Sequence, residues 1–124
     1  MNYEERDKLL APYSANIEIG GLRFFRSVPF DVLQELIDAH FVEMESWNSC
    51  PGVADTFLPF LRRNPGFTAH GYAVVPWRKD VRVTIEGLEK ADVLTKAEII
   101  DFAKTFHDAD ELQITDDYVR CWYD

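Results

Sequence analysis

A chain of 124 residues, 47% hydrophobic and 14% aromatic, carries apolar surface for one core and is too short for a second, so residues 1–124 are expected to form a single domain. Asp and Glu outnumber Lys and Arg by 22 to 13, a formal charge of −9, which argues against a nucleic-acid partner because such binding rests on neutralising phosphates. The longest apolar runs, such as Tyr72 to Trp77, fall far short of the roughly 18 residues that span a membrane.

In chain order, a polar lead predicts one helical turn around Glu4 to Leu10, broken by Pro12. Asn16-Ile17-Glu18-Ile19 then alternates polar with apolar, and Gly20-Gly21 separates it from Leu22 to Arg26, the signature of a β-hairpin. After Pro29, apolar residues at Phe30, Leu33, Leu36, Ile37 and Phe41 recur at helical spacing, with Asp31 at the favourable positive end of the dipole. A second helical segment is expected from about Ser49 to Arg63, interrupted at Pro59 and stopped by Asn64-Pro65-Gly66.

From Phe67 the period changes to two. Phe67 to Val75 and Val81 to Glu86 read as strands joined by a turn over Pro76 to Asp80. Thr95-Lys96-Ala97-Glu98 has the spacing of a capping box, and Ile99, Ile100, Phe102, Ala103 and Phe106 continue an apolar helical stripe that stops near His107. Two short strands, Glu111 to Thr115 and Tyr118 to Tyr123, flank an Asp116-Asp117 turn. Strands grouped in hairpins predict the α+β class: an antiparallel sheet with about three helices packed on one face.

A sheet covered on one side leaves the other side open. With Val81, Val83 and Ile85 turned to the core, Arg82, Thr84 and Glu86 point outward, and Arg120 places Tyr118, Arg120 and Trp122 on that same side. Phe67 to Val75 admits either phase; the outward choice for His70 and Tyr72 completes a face of His70, Tyr72, Arg82, Glu86, Arg120 and Trp122. Arg and aromatic side chains are the types enriched at recognition hot spots, which makes this face the expected binding surface. The same residue types also serve as ordinary cross-strand stabilisers.

Other constellations fall short of chemistry. His107-Asp108-Ala109-Asp110-Glu111 lacks metal-ligand spacing and reads as a solvated helix end, so no metal or other cofactor is expected. Cys50, beside Ser49 and Pro51 at an expected helix start, is a position that can activate a thiol, with His40, His70 and His107 as potential bases, but nothing in the sequence brings them together. Gly20-Gly21 lacks the spacing of a phosphate cradle. Two thiols, Cys50 and Cys121, make no disulfide framework, and Met1 to Lys8 lacks a signal-like apolar run, so reduced cysteines and a cytoplasmic location are expected. Trp47 in a connecting loop and Trp77 in the turn between two strands both read as plugs at the core edge, with Trp77-Arg78 at a hairpin tip as an alternative contact point.

With no catalytic group singled out, the leading expectation is a non-enzymatic protein-interaction or regulatory module whose partner is another protein or a second copy, a homodimer. The alternative is a small-molecule-binding protein or enzyme with a pocket between sheet and helices. A mimic of nucleic-acid charge ranks last, because the acids are spread along the chain.

Overall fold

A computed structural model describes residues 3–124. These residues form a six-stranded sheet and four α-helices: α1 (Tyr3–Leu10), β1 (Ser14–Ile19), β2 (Leu22–Pro29), α2 (Phe30–Asp38), α3 (Leu58–Arg63), β3 (Thr68–Val74), β4 (Val83–Ala91), α4 (Lys96–Thr105), β5 (Glu111–Ile114) and β6 (Tyr118–Trp122). Strand order is β1-β2-β3-β4-β6-β5, with every neighbouring pair antiparallel. This is the expected α+β architecture, with the helical turn expected around Glu4 to Leu10 extended into the short helix α1 beside the three helices foreseen. No helix among the described residues is long and apolar enough to cross a membrane.

Local chemistry accounts for most element boundaries. Gly20 and Gly21 both take positive φ, +61° and +81°, the geometry a two-residue hairpin turn demands. Thr95 caps α4 in a full capping box, accepting from the Glu98 N–H at 3.1 Å while the Glu98 carboxylate accepts from the Thr95 N–H at 2.8 Å. Pro59 sits in the first turn of α3, where its fixed φ suits the helix, and a wider π-helical turn, Val53–Phe57, leads into it. The expected break near Pro59 is this boundary.

The segment after α2 departs from its apolar spacing. The helix stops at Asp38 rather than running to Phe41, because His40 adopts a left-handed φ of +64° that a continuing helix cannot hold. Phe41 to Glu43 then run beside the start of β4: the Val83 N–H donates to the Phe41 carbonyl at 2.8 Å, and the Glu43 N–H to the Val83 carbonyl at 2.9 Å. Two segments therefore share one edge of β4, this one near Val83 and β6 from Glu89 onward.

All four helices contribute to one cluster on one side of the sheet. Leu10, Leu33, Leu36, Phe60, Leu61 and Phe102 pack there with Val28, Ala69, Ala73, Val83, Ile85, Leu88, Val119 and Cys121 from the strands. Its centre is aromatic: Phe60 meets Phe67 edge-on at 4.9 Å between ring centroids and Phe106 at 5.1 Å, and Phe67 stacks on Phe102 at 5.5 Å. Tyr123 extends the cluster and donates its hydroxyl to Asp108 at 2.7 Å. The acids after α4 thus do more than solvate a helix end: Asp108 holds Tyr123, and Asp110 accepts the Asp124 N–H at 2.7 Å.

Arg6 ties α1 to the β3–β4 turn. Only 1% exposed, it donates from Nη1 to the Val74 carbonyl at 2.6 Å and from Nε and Nη2 to Asp7 at 3.0 and 2.8 Å. Its guanidinium also lies 5.3 Å from the Tyr3 ring centroid. Replacing Arg6 with Met keeps the apolar stem but strands the buried Val74 carbonyl, so R6M is expected to lower unfolding free energy by ~3 kcal/mol, read as a shift of the urea midpoint at unchanged slope.

A candidate binding face on the open side of the sheet

The side of the sheet away from the helices is organised by one irregularity. Between β3 and β4 the register slips by a residue: His70 faces Gly87, whereas Gly71 faces Ile85, leaving Glu86 as the extra residue of a β-bulge. Glu86 and Gly87 consequently share the open side, and alternation resumes one residue out of step, with Leu88 in the core and Glu89 outward. Gly87 is required for steric reasons, because a Cβ there would collide with the Cys121 carbonyl and crowd the His70 ring.

His70 lies over this glycine. Its Nε2 is 3.0 Å from the Cys121 carbonyl on β6, and since a carbonyl only accepts, Nε2 carries the proton and Nδ1 the lone pair. The residue is 5% exposed, and Nδ1 has no hydrogen-bond partner among the described residues. Burial, then the nearby Arg120, pushes the imidazole pKa down to about 4, keeping the ring neutral. Beside it Glu86, 8% exposed, is pushed up to about 7, first by burial and then by the charge of Asp124; the Trp122 indole hydrogen bond and Arg120 pull the other way.

Arg120 faces Glu89 across β4 and β6, yet does not pair with it. Both Glu89 oxygens are already engaged: Arg26 reaches them through Nε at 3.0 Å and Nη2 at 2.9 Å, and the Tyr118 hydroxyl donates at 2.8 Å. Burial pushes the Glu89 pKa up, but those hydrogen bonds outweigh it and hold the carboxyl below its usual range. The buried Nε of Arg120 is left without a hydrogen-bond partner among the described residues.

His70, Glu86, Arg120 and Trp122 line one hollow of about 200 Å³, with Ala15, Phe24 and Arg26 at its border. The other two expected face residues lie in a neighbouring hollow of similar size: Tyr72 and Arg82 line it with Glu43, Trp47 and Thr84. Arg82 precedes β4 and pairs loosely with Asp80 at 3.7 Å, so it borders the face from a turn. Phe24 meets Tyr72 edge-on at 6.1 Å and joins the two halves. Ile19, paired with Leu22, continues this side onto the edge strand, where Ile17 and Ile19 are 50% and 65% exposed.

Sequence reasoning turned Tyr118 outward but missed its partners Arg26 and Glu89, and it missed Phe24. For Phe24 and Arg26 the signal was alternation within Leu22 to Arg26; for Glu89 there was none, because Gly87 breaks the period. Cys50 is a buried thiol whose pKa burial pushes up to about 12, donating to the Ile85 carbonyl at 3.4 Å, and Cys121 is likewise buried, with its pKa pushed up to about 12. Both are the reverse of an activated nucleophile. Among the described residues no three His, Cys, Asp or Glu gather to hold a metal ion. A larger crevice of about 350 Å³ lies between α1 and the β1–β2 hairpin, bordered by Asp7, Leu10, Arg23 and Phe25, and none of the six face residues lines it. Compared with protein-family models, curated proteins and solved structures, the chain matches none of them.

His70 and Glu86 act on stability with opposite sign. The depressed imidazole binds fewer protons folded than unfolded, so its term rises with pH between about 4 and 6.5; the raised carboxyl binds more protons folded, so its term falls as pH climbs from 4.5 to about 7. Between pH 4.5 and 6.5 the two slopes oppose each other. E86Q removes the falling term, so its stability relative to the parent is expected to improve by roughly 3 kcal/mol from pH 4.5 to 7, whereas H70Q should show the reverse trend, gaining relative stability toward acid. Urea titrations of the three proteins across this range test both signs.

Proposed function

We propose that the chain is a non-enzymatic recognition module that binds another protein, or a second copy of itself, through the open face of its sheet. The observation that carries this reading is the pair of buried polar atoms on that face, His70 Nδ1 and Arg120 Nε, that find no hydrogen-bond partner among the described residues. Buried polar groups without partners are rare and costly in folded proteins, and a partner that supplies the missing hydrogen bonds recovers that cost. Aromatic side chains around the hollow and the exposed Ile17 and Ile19 on the same side add apolar contact area of the kind that recognition draws on. Its charges are mixed, with Arg26 and Arg120 beside Glu86 and Glu89, so a second copy is a chemically self-compatible occupant.

The open face can be interrogated with a photo-crosslinking amino acid. Placed at Ile19, on this side of the sheet, it is expected to give a discrete protein adduct in cells; placed at the exposed Ile100 on α4 it is not. The adduct from position 19 should fall about tenfold in an R120M background, the effect of one hydrogen bond from a charged donor. If the same adduct forms with the purified protein alone, and light scattering gives twice the monomer mass, the partner is a second copy. Equal crosslinking from positions 19 and 100 would refute the reading.

A further inference from the structure

The two unpartnered atoms differ in kind, and the difference specifies a ligand. With Nε2–H committed to the Cys121 carbonyl, His70 presents only an acceptor, its Nδ1 lone pair. Arg120 Nε–H is only a donor. A carboxylate would satisfy Arg120 but set lone pairs against Nδ1. An ammonium would satisfy His70 but face the guanidinium. A group that donates and accepts while carrying no charge satisfies both.

Glu86 narrows the choice. Its carboxyl borders the same hollow and can accept a further N–H, so a primary amide, with two N–H donors and one carbonyl, matches His70, Glu86 and Arg120 together. A hydroxyl has one donor for two acceptors. An amide is also planar, and the rings of Trp122 and Phe24 flank the hollow. Its volume, about 200 Å³, is below the roughly 300–1,000 Å³ of pockets for drug-sized ligands, and suits a single side chain.

We infer that this hollow binds a primary amide, the side chain of an Asn or Gln presented by a protein partner. The inference rests on the reading of the open face as a binding surface. The Asn or Gln enters over Gly87, its carbonyl accepts from Arg120 Nε, and its two N–H groups donate to His70 Nδ1 and Glu86.

Acetamide is the probe, with acetate, methylammonium and ethanol as comparators of similar size, titrated at matched ionic strength into isotope-labelled protein. The His70 ring nitrogens and the Arg120 Nε–H are followed by NMR. Acetamide is expected to shift both signals saturably with a millimolar dissociation constant, and the three comparators to bind at least about tenfold more weakly, the loss of one hydrogen bond. R120M and H70F should each raise the acetamide constant about tenfold while signals remote from the hollow stay in place; if H70F unfolds, R120M decides.

Acetate binding as tightly as acetamide would make the hollow an anion site, and methylammonium doing so a cation site; ethanol matching acetamide would remove the amide preference. Any of these, or no response to any probe, overturns the inference. A protein adduct from position 19 without acetamide binding leaves the interaction face standing and removes the amide. Acetamide binding with no adduct overturns the protein source of the amide, and with it the proposed partner.

Discussion

The slip of one residue between His70 and Gly71 is the constraint on which the rest of the open face depends. A regular ladder would have carried Val83 and Ile85 on the core side and put Gly87 there too, with Leu88 turned outward. The bulge restores Leu88 to the core, where it is fully buried, and sends Glu89 outward to meet Arg26 and Tyr118. It also puts two successive residues, Glu86 and Gly87, on one side. That arrangement is possible because the second has no side chain, so the His70 ring can occupy the space and reach across β4 to the Cys121 carbonyl. A backbone irregularity thus fixes a histidine tautomer.

Burial then sets the protonation of two neighbours in opposite directions. Desolvation disfavours the charged form of each: imidazole loses its proton and carboxyl gains one. The same physical cause makes His70 a neutral acceptor and shifts Glu86 toward its neutral acid, and the competing slopes keep their joint effect on stability small across mildly acidic pH. Arg120 strengthens the effect on His70 and opposes it on Glu86, as a fixed positive charge must.

The fold was legible wherever one periodicity ran uninterrupted between strong punctuation. Gly20-Gly21, the Thr95 capping box and the alternation of Val83 and Ile85 each state their local structure in residue types alone, and the outward direction of Arg120 and Trp122 follows from a single charged residue in a strand. Legibility failed where tertiary structure overrode spacing. Phe41 continues the apolar stripe of α2 but belongs to a segment lying against β4, because His40 turns the chain first. Glu89 lay beyond the period break at Gly87, and Arg6, in a polar lead that reads as solvent-exposed, is buried by contacts with Val74 and Asp80 nearly seventy residues or more away. Of the expected face, four residues meet in one hollow and two in the next; the sequence specifies a side, but only pairing across β3, β4 and β6 specifies the grouping.

Two polar groups lie side by side on the open face, and they are built differently. Arg26, Glu89 and Tyr118 form a closed set in which the carboxylate is fully engaged, as a network kept for stability should be. The adjoining group is not closed: Arg120 sits opposite Glu89, whose oxygens Arg26 and Tyr118 already hold, while His70 spends one nitrogen on a backbone carbonyl and leaves the other without a partner among the described residues. A purely stabilising role would favour the reverse, since each desolvated, unpaired group costs about 1–3 kcal/mol that an apolar replacement of similar shape would avoid. Closed and unclosed groups thus adjoin within one surface: the first ties β2, β4 and β6 together, and the second leaves a donor and an acceptor without partners among the described residues, as the proposed binding of an outside group requires.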